Sequence, residues 1–121
     1  MPLSSASPLQ ARLATVFEFI PALARRHLAT RIGCRQALHV YASADGVFTL
    51  AMQQRGACAA EIVENRFAQL RAIGGDAYQL FWKNGSGRWT AYCGPCAEPF
   101  AGSIDECLSE IARDSHGCYW S

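Results

Sequence analysis

The spacing of apolar residues changes period along this chain, and each change marks an element. Leu9, Leu13, Val16, Phe17 and Ile20 recur at helical spacing after Ser7-Pro8, which reads as an N-cap and a first-turn proline. Pro21 lies inside the pattern, lacks an amide proton and crowds the preceding turn, so a kink or restart is expected before a second helical stretch over residues 22–29. From Leu38 the period shortens to two. Leu38, Val40 and Ala42 alternate with His39, Tyr41 and Ser43, and Asp45-Gly46 marks a hairpin turn. A two-residue loop would set Tyr41 against Leu50. A three-residue loop, Ala44-Asp45-Gly46, pairs Leu38 with Met52, Val40 with Leu50 and Ala42 with Phe48 on one apolar face. The longer loop is therefore expected.

Residues 61–72 fit either period and end at the turn Gly74-Gly75-Asp76. A second hairpin follows, with strands over residues 78–83 and 88–92 around Asn84-Gly85-Ser86-Gly87. Its expected register pairs Trp82 with Trp89, Leu80 with Ala91 and Lys83 with Arg88. Ser103 and Glu106 form a capping box for a last helix with the apolar stripe Ile104, Cys107, Leu108 and Ile111. That helix should stop between Asp114 and Gly117, and the apolar tail Cys118-Tyr119-Trp120 should dock onto the sheet. The pattern predicts an α+β fold: a kinked N-terminal helix, an antiparallel meander of about five strands, and a C-terminal helix packed on one face. Length predicts a single domain over residues 1–121, with residues 1–7 frayed.

Charge narrows the function classes. The net charge is +1, so no global field attracts nucleic acid or an anionic membrane. Residues 1–58 carry six Arg against Glu18 and Asp45, a balance of +4; residues 59–121 carry five Lys and Arg against eight acids, a balance of −3. No apolar run approaches the ~18 residues that span a bilayer. The first ten residues lack a basic region followed by an apolar block, so no export signal is read and a cytoplasmic location with reduced thiols is expected.

Cys93-Gly94-Pro95-Cys96 spells a thioredoxin active site, but only 25 residues follow it and Pro99 falls where the helix through the second cysteine would run. Cys93 and Cys96 also make half a zinc site that Cys107, Cys118 or His116 could complete, although the second half lacks paired spacing. Cys107 lies on the apolar stripe, where cysteine behaves as a small core residue. Glu106, Glu110 and Asp114 recur every four residues and read as a solvated like-charge face, partly relieved by Arg113. His39 falls on the polar face of its strand. His116 and Cys118 have no third group to orient them, and no phosphate loop or metalloprotease pattern is present.

The C-terminal motifs carry a resemblance. Leu80-Phe81-Trp82, then Gly87-Arg88-Trp89 with Tyr92, the short acidic helix over residues 105–111, and the ending Asp114, Gly117, Cys118, Tyr119, Trp120 resemble the small bacterial proteins catalogued as domain of unknown function 3024. The likeness covers roughly residues 10–120, with its specific motifs in the C-terminal half. It implies that residues 65–72 form a strand and that the setting is bacterial and cytoplasmic, and it implies no activity, substrate or cofactor. This chain has Arg55-Gly56 where the family pattern tends to place Arg-Pro. The Cys-Gly-Pro-Cys loop is not part of the pattern, so no chemistry at Cys93 and Cys96 carries over.

The reading is a non-catalytic binding or accessory module without a cofactor. Trp82, Trp89, Arg25, Arg26 and Arg88 are the expected contacts, between the aromatic hairpin and the basic N-terminal helix. One alternative is a single-stranded nucleic-acid-binding accessory protein, built on the hairpin rings Tyr78, Phe81, Trp82, Trp89 and Tyr92 and on Arg25, Arg26, Arg31 and Arg35; the near-neutral charge weighs against it. The other is a thiol or zinc protein using Cys93 and Cys96, with Cys107 and Cys118 as further ligands. No membrane partner is expected. A protein partner and a homodimer through an edge strand stay open.

Overall fold

The computed structural model describes residues 19–56, 61–93 and 98–120. The first described helix, α1, covers residues 19–27 and passes through Pro21 without a break. The stretch before Phe19, and with it the expected kink, lies outside the described residues. A short 3-10 helix, Ala29–Arg31, leads into an antiparallel meander. Its strands are β1 Gln36–Ala42, β2 Val47–Arg55, β3 Ile62–Gly74, β4 Ala77–Lys83 and β5 Trp89–Ala91. They lie in the order β1-β2-β3-β4-β5, and a two-residue strand β6, Ala101–Gly102, pairs with β4. The C-terminal helix α2 is Ile104–Arg113. This is the expected α+β architecture. Among the described residues no helix is long and apolar enough to cross a membrane.

The first hairpin has the register that its apolar pattern demands: Leu38 opposes Met52, Val40 opposes Leu50 and Ala42 opposes Phe48. The second hairpin corrects the expected register by one residue. Trp82 faces Thr90, and Lys83 faces Trp89. Asn84 causes the shift. Its amide donates to the Arg88 carbonyl at 2.9 Å, and its side-chain oxygen accepts from the Ser86 and Arg88 amides. The loop is therefore Gly85-Ser86-Gly87. Gly87 has a φ of 78°, as Gly46 has 81° in the first hairpin, and both fill the left-handed position that closes a three-residue loop. Since strand side chains alternate, the one-residue shift sends Trp82 and Trp89 to opposite faces.

Both helices pack on one face of the sheet. Ile20, Leu23, Ala24 and Leu28 from α1 and its exit, and Cys107, Leu108 and Ile111 from α2, share one buried cluster with Leu38, Phe48, Leu50, Phe67, Leu70, Leu80 and Tyr92. Serine and glutamate cap α2 as the sequence requires: Glu106 N donates to Ser103 Oγ, and Ser103 N donates to Glu106 Oε1.

The tail docks through a single carboxylate. Asp114 leaves α2 in the left-handed conformation, with φ 51°, and accepts the amides of Cys118, Tyr119 and Trp120. The folded tail sets Trp120 against Phe67, with ring centroids 4.9 Å apart, while its indole N–H donates to the Ile111 carbonyl at 2.7 Å. Tyr119 stacks on Tyr92 and donates to the Phe81 carbonyl.

Candidate functional site

The acidic residues of α2 do not form the solvated ladder expected from their spacing. Glu110 is 6% exposed. It accepts the Tyr92 hydroxyl at 2.6 Å and the Ser115 amide, and lies 3.6 Å from Arg113. Burial opposes its charge, but those hydrogen bonds and the Arg113 guanidinium outweigh it and hold the carboxyl below the usual carboxylate range. Glu106 closes the capping box, and Asp114 holds the tail. All three acids are committed to the fold.

His27 on α1 stands between two residues of α2. Its Nε2 is 3.0 Å from Asp105 Oδ1, and Ser109 Oγ is 3.5 Å from Nδ1. One helical turn separates Asp105 from Ser109, so both reach the same ring. The residue types are those of a nucleophile, a base and an orienting acid. The Ser109 contact is at the limit of a hydrogen bond. Ser109 also sits inside a helix, where amides are taken up by helical bonding and cannot stabilise an oxyanion. The trio clasps the helices together, beside a bond from Arg31 Nε to the Ala112 carbonyl.

The thiols among the described residues are dispersed. Cys107 is fully buried, within reach of the Tyr78 and Gly102 carbonyls, and burial pushes its thiol up to about 12. Burial also raises Cys118. Cys93 is exposed and bridges Pro99 across an antiparallel pair, while Cys96 lies outside the described residues. Among the described residues no three His, Cys, Asp or Glu side chains gather as they would around a metal ion.

The other face of the sheet carries the densest unassigned chemistry. Among the described residues no helix covers it. Tyr41, Thr49, Gln69, Phe81 and Ala91 form one continuous row of paired positions from β1 to β5. A ring stands near each end of the row, and a cation covers each ring: Arg66 lies 4.4 Å above Tyr41 and Arg71 lies 3.8 Å above Phe81. Lys83 covers a third ring, Trp89, at 5.4 Å. Each cap is worth roughly 0.5–1 kcal/mol at an exposed site, little enough for a ligand to rearrange. Between the rings Gln69 donates to Thr49, and Arg71 Nε donates to Gln69 Oε1. A bulge at Leu50/Ala51 brings Arg66 onto this face.

Two carboxylates, Glu64 and Asp45, interrupt the positive charge. Glu64 accepts from the Tyr41 hydroxyl at 2.8 Å, and from Gln53 and Arg66; these partners hold its carboxyl below the usual range. An open groove of about 510 Å³ covers the β1–β3 part of the row, lined by Tyr41, Asp45, Thr49, Arg66, Gln69 and Arg71. A larger hollow of about 680 Å³ lies by Cys34, Arg55, Gly56 and Ile62. Its wall ends next to residues 57–60, outside the described set, so no site is assigned there.

The five residues expected as contacts are dispersed. Trp82 faces the helices and packs against the core. Trp89 lies on the open face under Lys83. Arg88 is exposed in the second hairpin turn, at the far side of the sheet from β1. Arg25 and Arg26 are exposed on α1, with a guanidinium nitrogen of Arg25 3.5 Å from the Leu38 carbonyl of β1. Sequence reasoning missed Tyr41, Arg66, Arg71, Phe81 and Lys83 as a group. Alternation could have placed Arg71 and Phe81 on one face, but the bulge that brings Arg66 to the same face left no signal in the pattern.

A family model described as domain of unknown function (DUF3024) matches residues 7–121. No curated protein matches the chain, and no solved structure does.

Proposed function

Because the chain belongs to the family of domain of unknown function 3024, whose description states no activity, we propose from geometry alone that it is a non-catalytic binding module that takes an anionic ligand on the open face of its sheet. The observation that carries this reading is the set of three cation-covered rings, Tyr41–Arg66, Phe81–Arg71 and Trp89–Lys83, on a face free of helices among the described residues. Here rings and long cations are interleaved, which supplies flat surfaces and mobile positive charge together. Trp89 keeps its place as a contact, and Arg88 extends the positive charge at the hairpin turn. Trp82, Arg25 and Arg26 fall outside the proposed site.

The test is calorimetric titration with inorganic polyphosphate at low salt. Replacing Arg66, Arg71 and Lys83 together by Ala should weaken binding at least about tenfold. Replacing Arg25 and Arg26 by Ala should leave it unchanged. Loss of binding on the second replacement but not the first would refute the assignment.

A further inference from the structure

We infer that the ligand of the open face is a single-stranded nucleic acid lying across the strands, with its bases along the row from Tyr41 to Phe81. The inference rests on the anion-binding reading above and narrows it.

The row sets the spacing. Tyr41, Thr49, Gln69 and Phe81 are successive cross-strand partners, so three interstrand steps separate the rings. At about 4.8 Å per step the rings lie about 14 Å apart. Each end of the row holds a guanidinium over an aromatic ring, with the Cζ atoms 4.4 Å and 3.8 Å from the ring centroids. Bases stack on arginine planes as they do on rings, so the outer face of each guanidinium continues the stack. Between the ends, Gln69 and Thr49 are each only 9% exposed and bonded to one another, so they form the floor of the row.

Charge complementarity selects a phosphate chain. Arg66 and Lys83 flank one side of the row and Arg71 the other, three cations against two carboxylates: Glu64, which is paired with Arg66, and Asp45 on the groove wall. The molecule's net charge of +1 does not weaken this, because binding responds to local charge. An acidic peptide would satisfy the cations but leave the two ring–guanidinium stacks unused. A duplex keeps its bases paired and cannot lay them on a sheet.

The experiment is fluorescence anisotropy with a labelled mixed-sequence DNA strand of about eight nucleotides. The competitors are its duplex and polyglutamate of similar length. The single strand should bind at least about tenfold more tightly than either competitor. Three phosphate contacts predict that log K falls with log salt at a slope of about −2. Arg71→Lys keeps the charge but removes the plane, so affinity should fall about tenfold with the slope unchanged. Arg66→Lys, at an exposed position, should do the same without any risk to the fold. The Arg66→Ala/Arg71→Ala pair should cut the slope to about −0.7.

Equal binding of polyglutamate and single strand, or lysine variants that bind as well as the parent, would overturn the nucleic-acid inference. Failure of the strand while polyphosphate still binds through Arg66, Arg71 and Lys83 would also overturn it, with the anion-binding reading intact. Failure of every polyanion would remove both.

Discussion

A single hydroxyl decides the state of Glu110, the most buried acid among the described residues. Tyr92 donates to Glu110 at 2.6 Å. Without that donor a nearly dry carboxylate keeps only the Ser115 amide and the Arg113 guanidinium. Tyr92→Phe should therefore cost about 1–3 kcal/mol in urea unfolding at neutral pH. The dependence on pH has a definite sign. Glu110 titrates lower in the folded chain than its usual value, so its contribution is complete above the ordinary carboxylate range and is lost as pH falls through the folded value. The gap between Tyr92→Phe and the parent should shrink as the solution is acidified below about pH 4.3. A gap independent of pH would show that the hydroxyl supports packing and not the charge. The thiols give a second check at this scale. Cys107, with its thiol pushed up to about 12, should resist iodoacetamide in the folded protein, while exposed Cys34 and Cys93 are labelled, as peptide mass spectrometry would show.

Among the elements, α2 and the tail behave as one unit. Asp114 gathers three tail amides, and Trp120 returns an indole hydrogen bond to the helix it follows. Asp114→Ala should lower stability by about 2–4 kcal/mol, and Trp120→Ala by about 3 kcal/mol. Both release the same tail, so the double variant should lose clearly less than the sum in a thermal double-mutant cycle. Strict additivity would show that the two act separately. This unit was legible in the sequence, because a capping box, an apolar stripe and an apolar ending each state a local rule. The first hairpin was legible too, since only one loop length put its apolar residues on one face. The second was not. Trp82 opposite Trp89 looked as well paired as the true register, and the two side-chain-to-amide bonds of Asn84 that settle it are a loop property. The same three-residue rule applied to Gly85-Ser86-Gly87 gives the observed pairing. Helical spacing likewise grouped Glu106, Glu110 and Asp114, but could not say that Glu110 turns inward to meet a tyrosine from the sheet.

For the whole molecule, the proposed function follows from which face of the sheet the helices occupy. Burial of α1 and α2 against Leu50, Leu70 and Leu80 leaves Tyr41, Phe81 and Trp89 on the other side, each beneath a cation. The sequence concealed this site because its residues come from five strands, and a bulge and a one-residue register shift decide which of them share a face. The most direct measurement is a backbone amide NMR map of the protein titrated with polyphosphate. The account predicts saturable shifts concentrated at Tyr41, Arg66, Gln69, Arg71, Phe81, Lys83 and Trp89, with Arg25, Arg26 and the rest of α1 and α2 unmoved. Shifts confined to the helices, or spread evenly over every exposed cation, would contradict it.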